Sequence, residues 1–556
     1  MAGPVERDSA ALTLDGEPNA LPRWLVPALA AAPAVVLAGL YFWPLATLLQ
    51  RVLRSNSFSD ALHLPGLAGV LWFTLWQALV STVLTLAIGF VPAYLVARYR
   101  FVGRRALLAI VTVPFMLPTV VVGAAFLALL PTAWHGTARA VVIAHVFFNV
   151  AVVVRLVGAM WAVLPTDLTA AARTLGASPA QVLRNIVLPL LRPSLWAAAT
   201  VVFLFTFTSF GAVQILGGSA HPTLEVEIVR RATQLGDVDG AAVLSLLQLF
   251  ALAAVVWLSA RLQRRDTHSF SGSSHWRRPR SSREHQAVLL TAAVVAGVML
   301  LPLLVMVSRS LRLGDRWTLS AWRQLGATDV RPGISLGVDP VASLLTSLRF
   351  AAVATIISVV VGGLAALAIA AARRRGALLD IGLMLPLGTS AVTVGLGLLI
   401  TFDTAPFDWR AKWWLVPLGH ALVAIPFVVR AVLPILRAIP RDQRAAAATL
   451  GASPSRAWVA IDLRRVVRPL IAASGLAAAI SLGEFGATTI LSRAGRETMP
   501  IAIARLLGRT GELPRAQAFA LATMLLVVTA AIIVMVMGAS ERAGLGGKGS
   551  FDVDRH

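Results

Sequence analysis

The sequence predicts an all-α polytopic membrane protein of about 12 transmembrane helices, arranged as two parallel six-helix repeats. Three observations carry this reading. Hydrophobic residues fill 57% of the 556 positions and charged residues only 13%, about half the share of a soluble domain; mean hydropathy is +0.78. Twelve apolar blocks reach the ~20 residues a helix needs to cross a bilayer. One offset, 275 residues, brings distant segments of the chain into register. So few charges cannot cover so much apolar surface in water, which excludes an ordinary soluble enzyme, a disulfide scaffold and a disordered chain. The chain has no Cys, which removes disulfides, thiolate metal sites, iron–sulfur clusters and cysteine nucleophiles.

Residues 1–24 are polar and form a cytoplasmic tail. The apolar block that follows, 25–49, is longer than the 7–15 residues of a signal-peptide core and is taken as a retained first helix. Further spans are expected at 70–97, 106–130, 138–164, 194–216 and 240–260. After a Ser- and Arg-rich linker at 263–286 come 287–308, 341–372, 377–401, 413–436, 469–491 and 516–538. The first half thus covers 25–262 and the second 287–540, with a tail at 541–556. With both termini inside, the cytoplasmic segments hold 29 Lys and Arg and the outer loops 16, the asymmetry expected of cytoplasmic loops. The net charge of +23 therefore marks membrane orientation, not nucleic-acid binding. A basic linker beside anionic lipid needs no further partner.

The repeat is specific. Thr174-Leu175-Gly176-Ala177-Ser178-Pro179 returns as Thr449-Leu450-Gly451-Ala452-Ser453-Pro454. At the same offset His145 meets His420, Arg155 meets Arg430, and Phe210-Gly211-Ala212 meets Phe485-Gly486-Ala487. Pro114 and Gly123 meet Pro386 and Gly395 at offset 272. Each half has both ends inside, so the halves share one orientation. They are related by a pseudo-two-fold axis along the membrane normal, with a pathway between them.

The loop after the fourth span has readable physics. Thr166 to Leu175 is Ala-rich and begins just after Pro165, which suits a short helix. Gly176 fits the left-handed position that ends it. Ser178 with Pro179 caps and opens a second short helix. The exposed side is expected to be small: Ala170, Ala171, Ala172 and Gly176. The second half repeats the arrangement from Ile439 to Leu463, so both copies dock a partner or neither does.

These residues resemble the "EAA" loop of ABC importer permeases: Glu-Ala-Ala, three residues, Gly, nine residues, Ile, one residue, Leu-Pro. Ala171, Ala172, Gly176, Ile186, Leu188 and Pro189 match that spacing in the first half, and Ala446, Ala447, Gly451, Ile461 and Leu463 in the second. Ala170 and Ala445 stand where the family has Glu, and Arg464 replaces the Pro. Ala144-His145-Val146-Phe147-Phe148-Asn149, Thr208-Ser209-Phe210-Gly211-Ala212, Thr223-Leu224-Glu225-Val226-Glu227-Ile228 and Ser481-Leu482-Gly483-Glu484-Phe485-Gly486 are similar to strings of thiamine and, in part, ferric-iron permeases.

The resemblance implies a type I importer transmembrane domain in a bacterial cytoplasmic membrane. An ABC ATPase homodimer would lie below it and an extracytoplasmic substrate-binding protein outside. Both loops would dock on the ATPase, by shape and apolar contact because both glutamates are missing. The cargo would be thiamine, its phosphates or ferric iron. ATP and magnesium would belong to the partner, and this chain would hold no cofactor and catalyse nothing. No G-x-x-x-x-G-K-[ST] motif occurs; the nearest string, Gly544 to Ser550, follows no strand. The translocation path is assigned to His145, Asn149, Ser209, Phe210, His420, Glu484 and Phe485, with Glu484 as a carboxylate for a cationic cargo and the two Phe as aromatic faces. The competing architecture is a major-facilitator-like secondary transporter. It shares twelve spans and two parallel halves but gives no reason for paired loops of this kind.

Overall fold

The computed structural model describes residues 25–54, 66–218, 220–263, 276–326, 329–331, 334–335, 339–372, 376–404, 406–493 and 495–545. Tail 1–24, most of the 263–286 linker and the end of tail 541–556, with most of the Gly544–Ser550 string, lie outside the described residues.

Among the described residues, ten helices are long and apolar enough to cross a membrane: Val26–Arg54, Leu67–Arg98, Ala138–Ala162, Pro179–Phe207, Val238–Arg261, Ser282–Ser310, Pro340–Ala372, Leu415–Arg437, Trp458–Gly483 and Glu512–Ser540. Two blocks expected as single helices are broken. Arg104–Met116 meets Thr119–Leu129 at 104°, and Gly376–Gly388 meets Ala391–Thr401 at 103°. The first break falls at Leu117-Pro118, where the residue before proline is driven into extended backbone (φ −77°, ψ 148°). The second follows Pro386 and restarts at Ser390, whose hydroxyl accepts hydrogen bonds from the N–H groups of Val392 and Thr393. Such caps are needed because lipid offers no partner to a free helix end.

The broken pairs still cross. Gly89 of Leu67–Arg98 lies against Val153 of Ala138–Ala162, and Ala93 lies against Gly158. Those two helices therefore run in the same direction, and the broken pair between them must carry the chain back across. Gly362 against Val428 repeats the contact in the second half.

Glycine lets the broken spans pack. A Cβ on Gly395 would stand 2.8 Å from the Ala487 Cα, a backbone atom that cannot step aside. Gly395→Leu is expected to displace the short helix Gly486–Leu491 and sharply reduce the yield of folded protein, measured as monodisperse protein in detergent. The matching change at Gly297, where a Cβ meets nothing within 4 Å, leaves the yield unchanged.

The halves are interlocked rather than side by side. The first-half helix Leu25–Leu37 packs on Pro340–Ala372, and Trp43–Arg54 packs on Ala391–Thr401. In return Ser282–Ser310 packs on Arg104–Met116 and Thr119–Leu129 of the first half. Leu37, Leu40 and Tyr41 accordingly join the core of the second half, while Met299, Leu303 and Met306 join the core of the first. The described end of the linker is fastened to the first half. The backbones of Arg98 and Arg100 bond that of Arg277 (both 2.9 Å), Arg104 stacks on Trp276 at 4.2 Å, and Arg277 binds Tyr99 and Glu284. The Glu284 bond holds the Arg277 guanidinium above its ordinary pKa.

Candidate functional site

The two sequence-matched loops follow the same backbone plan. In the first, helix Thr166–Thr174 ends at Gly176 (φ 84°). Gly176 N–H donates to Arg173 O and Ala177 N–H to Ala172 O, both at 3.0 Å, the Schellman closure of a helix. In the second, helix Arg441–Thr449 ends at Gly451 (φ 77°). The same two bonds close it, Gly451 to Ala448 and Ala452 to Ala447, both 2.9 Å. Ser178 opens Pro179–Val182 through a reciprocal capping box with Gln181. Each loop then enters its next span through a π-helical turn, Leu183–Val187 and Trp458–Leu463.

Ala170, Ala171 and Gly176 are exposed, as are Ala445, Ala446 and Gly451; Ala172 and Ala447 are half-buried. The small-residue reading missed a leucine in each loop. Leu175 and Leu450 are both 87% exposed, each at the tip beside its glycine. Ile186, Leu188 and Ile461 are half-buried supports at the base, while Pro189 and Leu463 stay exposed. The loops differ in how they are braced. Val187 is buried in the first. At its repeat position the second has Asp462, also buried and paired with Arg444. Asp462→Val, which removes the buried carboxylate that ties Arg444 of the loop helix to the base of the next span, is expected to loosen the second loop only, detected as faster amide exchange over 441–463 and not over 166–187.

Between the halves lies a cavity of about 200 Å³. Its lining includes His145, Asn149, Ser209, Phe210, Glu225, Ser390, Glu484 and Phe485. Six of the seven residues assigned to the path from sequence are therefore brought together here. Phe210 and Phe485 stack on each other, ring centroids 4.9 Å apart and planes 27° from parallel, so the repeat mates meet at the pseudo-axis. His420 is not among the lining residues.

Glu484, which lines the cavity as expected of a path residue, also makes hydrogen bonds within its own half. Its oxygens accept from Ala487 N–H and Thr488 N–H, both 2.9 Å, and from the Thr488 hydroxyl at 2.6 Å. His420 Nε2 stands 3.3 Å away. Glu484 thus caps helix Gly486–Leu491, and both of its oxygens are engaged. One proton assignment satisfies the whole group. The Thr488 hydroxyl donates to Glu484, His420 Nε2–H donates to Thr488 Oγ1 (2.7 Å), and the Ser481 hydroxyl donates to Nδ1 (2.8 Å).

His145 lacks all of this. At the repeat positions of Ser481, Glu484 and Thr488 stand Thr206, Ser209 and Val213, and the Thr206 hydroxyl is turned to its own helix. Both His145 ring nitrogens and Asn149 Oδ1 are buried with no hydrogen-bond partner among the described residues. The sequence reading also gave no role to Glu225, fully buried on helix Leu224–Arg230. The available signal was its repeat position, which holds Pro500. The Arg pair has diverged too: Arg430 reaches Asp380 (3.3 Å) near the end of its span that leads into the second loop, and Arg155 is exposed.

Residues 85–266 match the family of binding-protein-dependent transport system inner membrane components. Over most of its length the chain is similar to the thiamine transport system permease protein ThiP of Salmonella typhimurium, at 26% identity covering 88% of this chain and 92% of that one. ThiP of Brucella abortus is 27% identical, covering 86% and 88%. A probable ABC transporter permease protein, y4fN of Sinorhizobium fredii, is 26% identical over the same shares. Two matched loops, a doubled helical plan and similarity along most of the chain agree: the chain resembles the fused, double-length ABC importer permeases, the thiamine permeases among them.

Proposed function

We propose that this permease carries thiamine across the bacterial cytoplasmic membrane, driven by a separate ABC ATPase dimer and fed by an extracytoplasmic binding protein. The observation that carries the reading is the pair of matching loops, each presenting an exposed leucine on a rigid, glycine-closed tip. Two equal knobs suit the two equal grooves of a homodimeric motor. The apolar tips also explain how docking proceeds without the family's glutamates, since Ala170 and Ala445 offer no charge. ATP-driven closure of the motor draws the loops together. The interlocked first helices then force each half to move with the other, which reseats the cavity walls around Phe210 and Phe485. ATP and magnesium are bound by the partner, and both termini of this chain face the cytoplasm.

Thiamine is chosen because the ThiP relatives bear its name, and the cavity between the halves has the chemistry for an organic cation. The iron reading draws no support from those relatives. The test is reconstitution: purified permease alone hydrolyses no ATP, and ATP-dependent uptake of labelled thiamine appears only when ATPase and binding protein are both added. ATP turnover by the isolated chain overturns the division of labour, and failure to import thiamine overturns the cargo.

A further inference from the structure

We propose that Glu225, with His145 and Asn149, forms the cation-receiving site of the translocation cavity, and that it takes the charged ring of the cargo in transit. The inference rests on the reading of an organic cation as cargo and deepens it by naming the group that receives the charge.

Glu225 is fully buried. Oε1 accepts one strong hydrogen bond, from Gln248 Nε2 at 2.5 Å; the Ser390 hydroxyl stands near the carboxyl, but Oε2 has no hydrogen bond of normal geometry among the described residues. A buried carboxylate left this way is costly, and structures keep such a group only where something else comes to it. Its neighbours along the cavity wall have the same character: Asn149 Oδ1 is an acceptor without a donor, and His145 has two ring nitrogens without partners. Asn149 Nδ2 is already used on His145 O at 2.9 Å, so what that residue has left is acceptor capacity. The standing demand of Glu225 and Asn149 is for positive charge and for N–H donors.

The fold does not require Glu225. Its repeat position is Pro500 and that of Gln248 is Thr523, and the second half builds the same helix without them. What both halves use to hold that helix is a hydroxyl on a neighbouring span: Thr74 receives Leu224 N–H at 2.9 Å and Ser347 receives Met499 N–H at 2.8 Å. The carboxylate is an addition to one half. The cavity's other carboxylate, Glu484, is occupied by its helix cap and His420. Only one of the two acids has an oxygen left over, and it lies beside the stacked Phe210 and Phe485, whose faces also attract cations. At about 200 Å³ the space is smaller than a pocket that encloses a whole ligand. It takes one ring-sized cationic group, and such partial capture leaves the cargo free to exit.

The test uses the complete importer in vesicles of phosphatidylethanolamine and phosphatidylglycerol, and reads ATP hydrolysed per thiamine imported. Glu225→Gln keeps the shape and the Gln248 contact but removes the charge, and is expected to raise that ratio about tenfold. A variant damaged only in folding or assembly loses hydrolysis and uptake together and keeps the wild-type ratio, so an unchanged ratio overturns the site. If Glu225→Gln does not assemble, Glu225→Asp, which withdraws the carboxylate by one methylene, is measured in the same way: a raised ratio supports the site and an unchanged one overturns it. A second measurement separates the site from the cargo: tetramethylammonium should raise the Tm of the wild-type complex and not that of Glu225→Gln. A wild-type complex that imports no thiamine but shows this difference overturns the thiamine reading and supports the cation site. A complex that imports thiamine, keeps its ratio in Glu225→Gln and shows no tetramethylammonium shift overturns the site and leaves the cargo reading standing.

Discussion

Valine at both Gly176 and Gly451 is expected to abolish ATP-driven uptake while the permease still inserts at normal abundance. The two glycines sit at φ 84° and 77°, a region that costs an L-residue about 1–2 kcal/mol and a β-branched one more. Nothing lies within 4 Å of a Cβ built at either position, so the penalty is wholly in the backbone and not in a clash with the core. Relief comes only by opening the Schellman closure, which swings Leu175 and Leu450 off their tips and misaligns the short helices that follow. The single variants should each lose most of the uptake, because a two-handed motor cannot rock the halves through one loop. Uptake by vesicles, normalised to permease content, checks this. Wild-type uptake with valine at both sites would show that neither tip is a docking element.

Glu484→Ala is expected to be the most damaging single change in the membrane interior. It strands the Ala487 and Thr488 N–H groups where lipid offers no partner, and it removes the acceptor at the end of the His420–Thr488 chain. Each buried N–H left without an acceptor costs about 1–3 kcal/mol. The apparent Tm of the purified permease should fall by several degrees, with or without cargo. Glu484→Gln retains one acceptor and should lose less. This stability loss is what separates Glu484 from Glu225, whose replacement is read in coupling and not in folding.

Much of this was legible in the sequence because repeats constrain twice. Offset 275 alone places Phe210 against Phe485 and gives the two loops one geometry, and the Gly-Ala-Ser-Pro string dictates a left-handed stop, a cap and a restart in each. What the sequence did not show follows from properties that one residue cannot carry. Apolar blocks 106–130 and 377–401 have the composition of spans, and hydropathy is blind to a bend of 104° at Pro118. The exchange of first helices between halves is a matter of tertiary packing that leaves composition unchanged. Glu484 had the look of a cargo carboxylate because its repeat mate is Ser209. Its partners, Thr488 and a His420 that is held in turn by Ser481, are a set recognisable only once the helices are placed. Glu225 was hidden in a string read for its resemblance, and its meaning rests on what it lacks, a hydrogen bond to Oε2.

The central claim is that transport here is powered through the paired loops by a separate ATPase. The most direct measurement is labelled-thiamine uptake into vesicles holding the permease, the ATPase and enclosed ATP on the loop side, with binding protein outside and with each component omitted in turn. The account predicts uptake only when all are present, and none from an imposed proton or sodium gradient. Uptake by the permease alone, driven by an ion gradient and indifferent to ATP, would contradict it and restore the secondary-transporter reading.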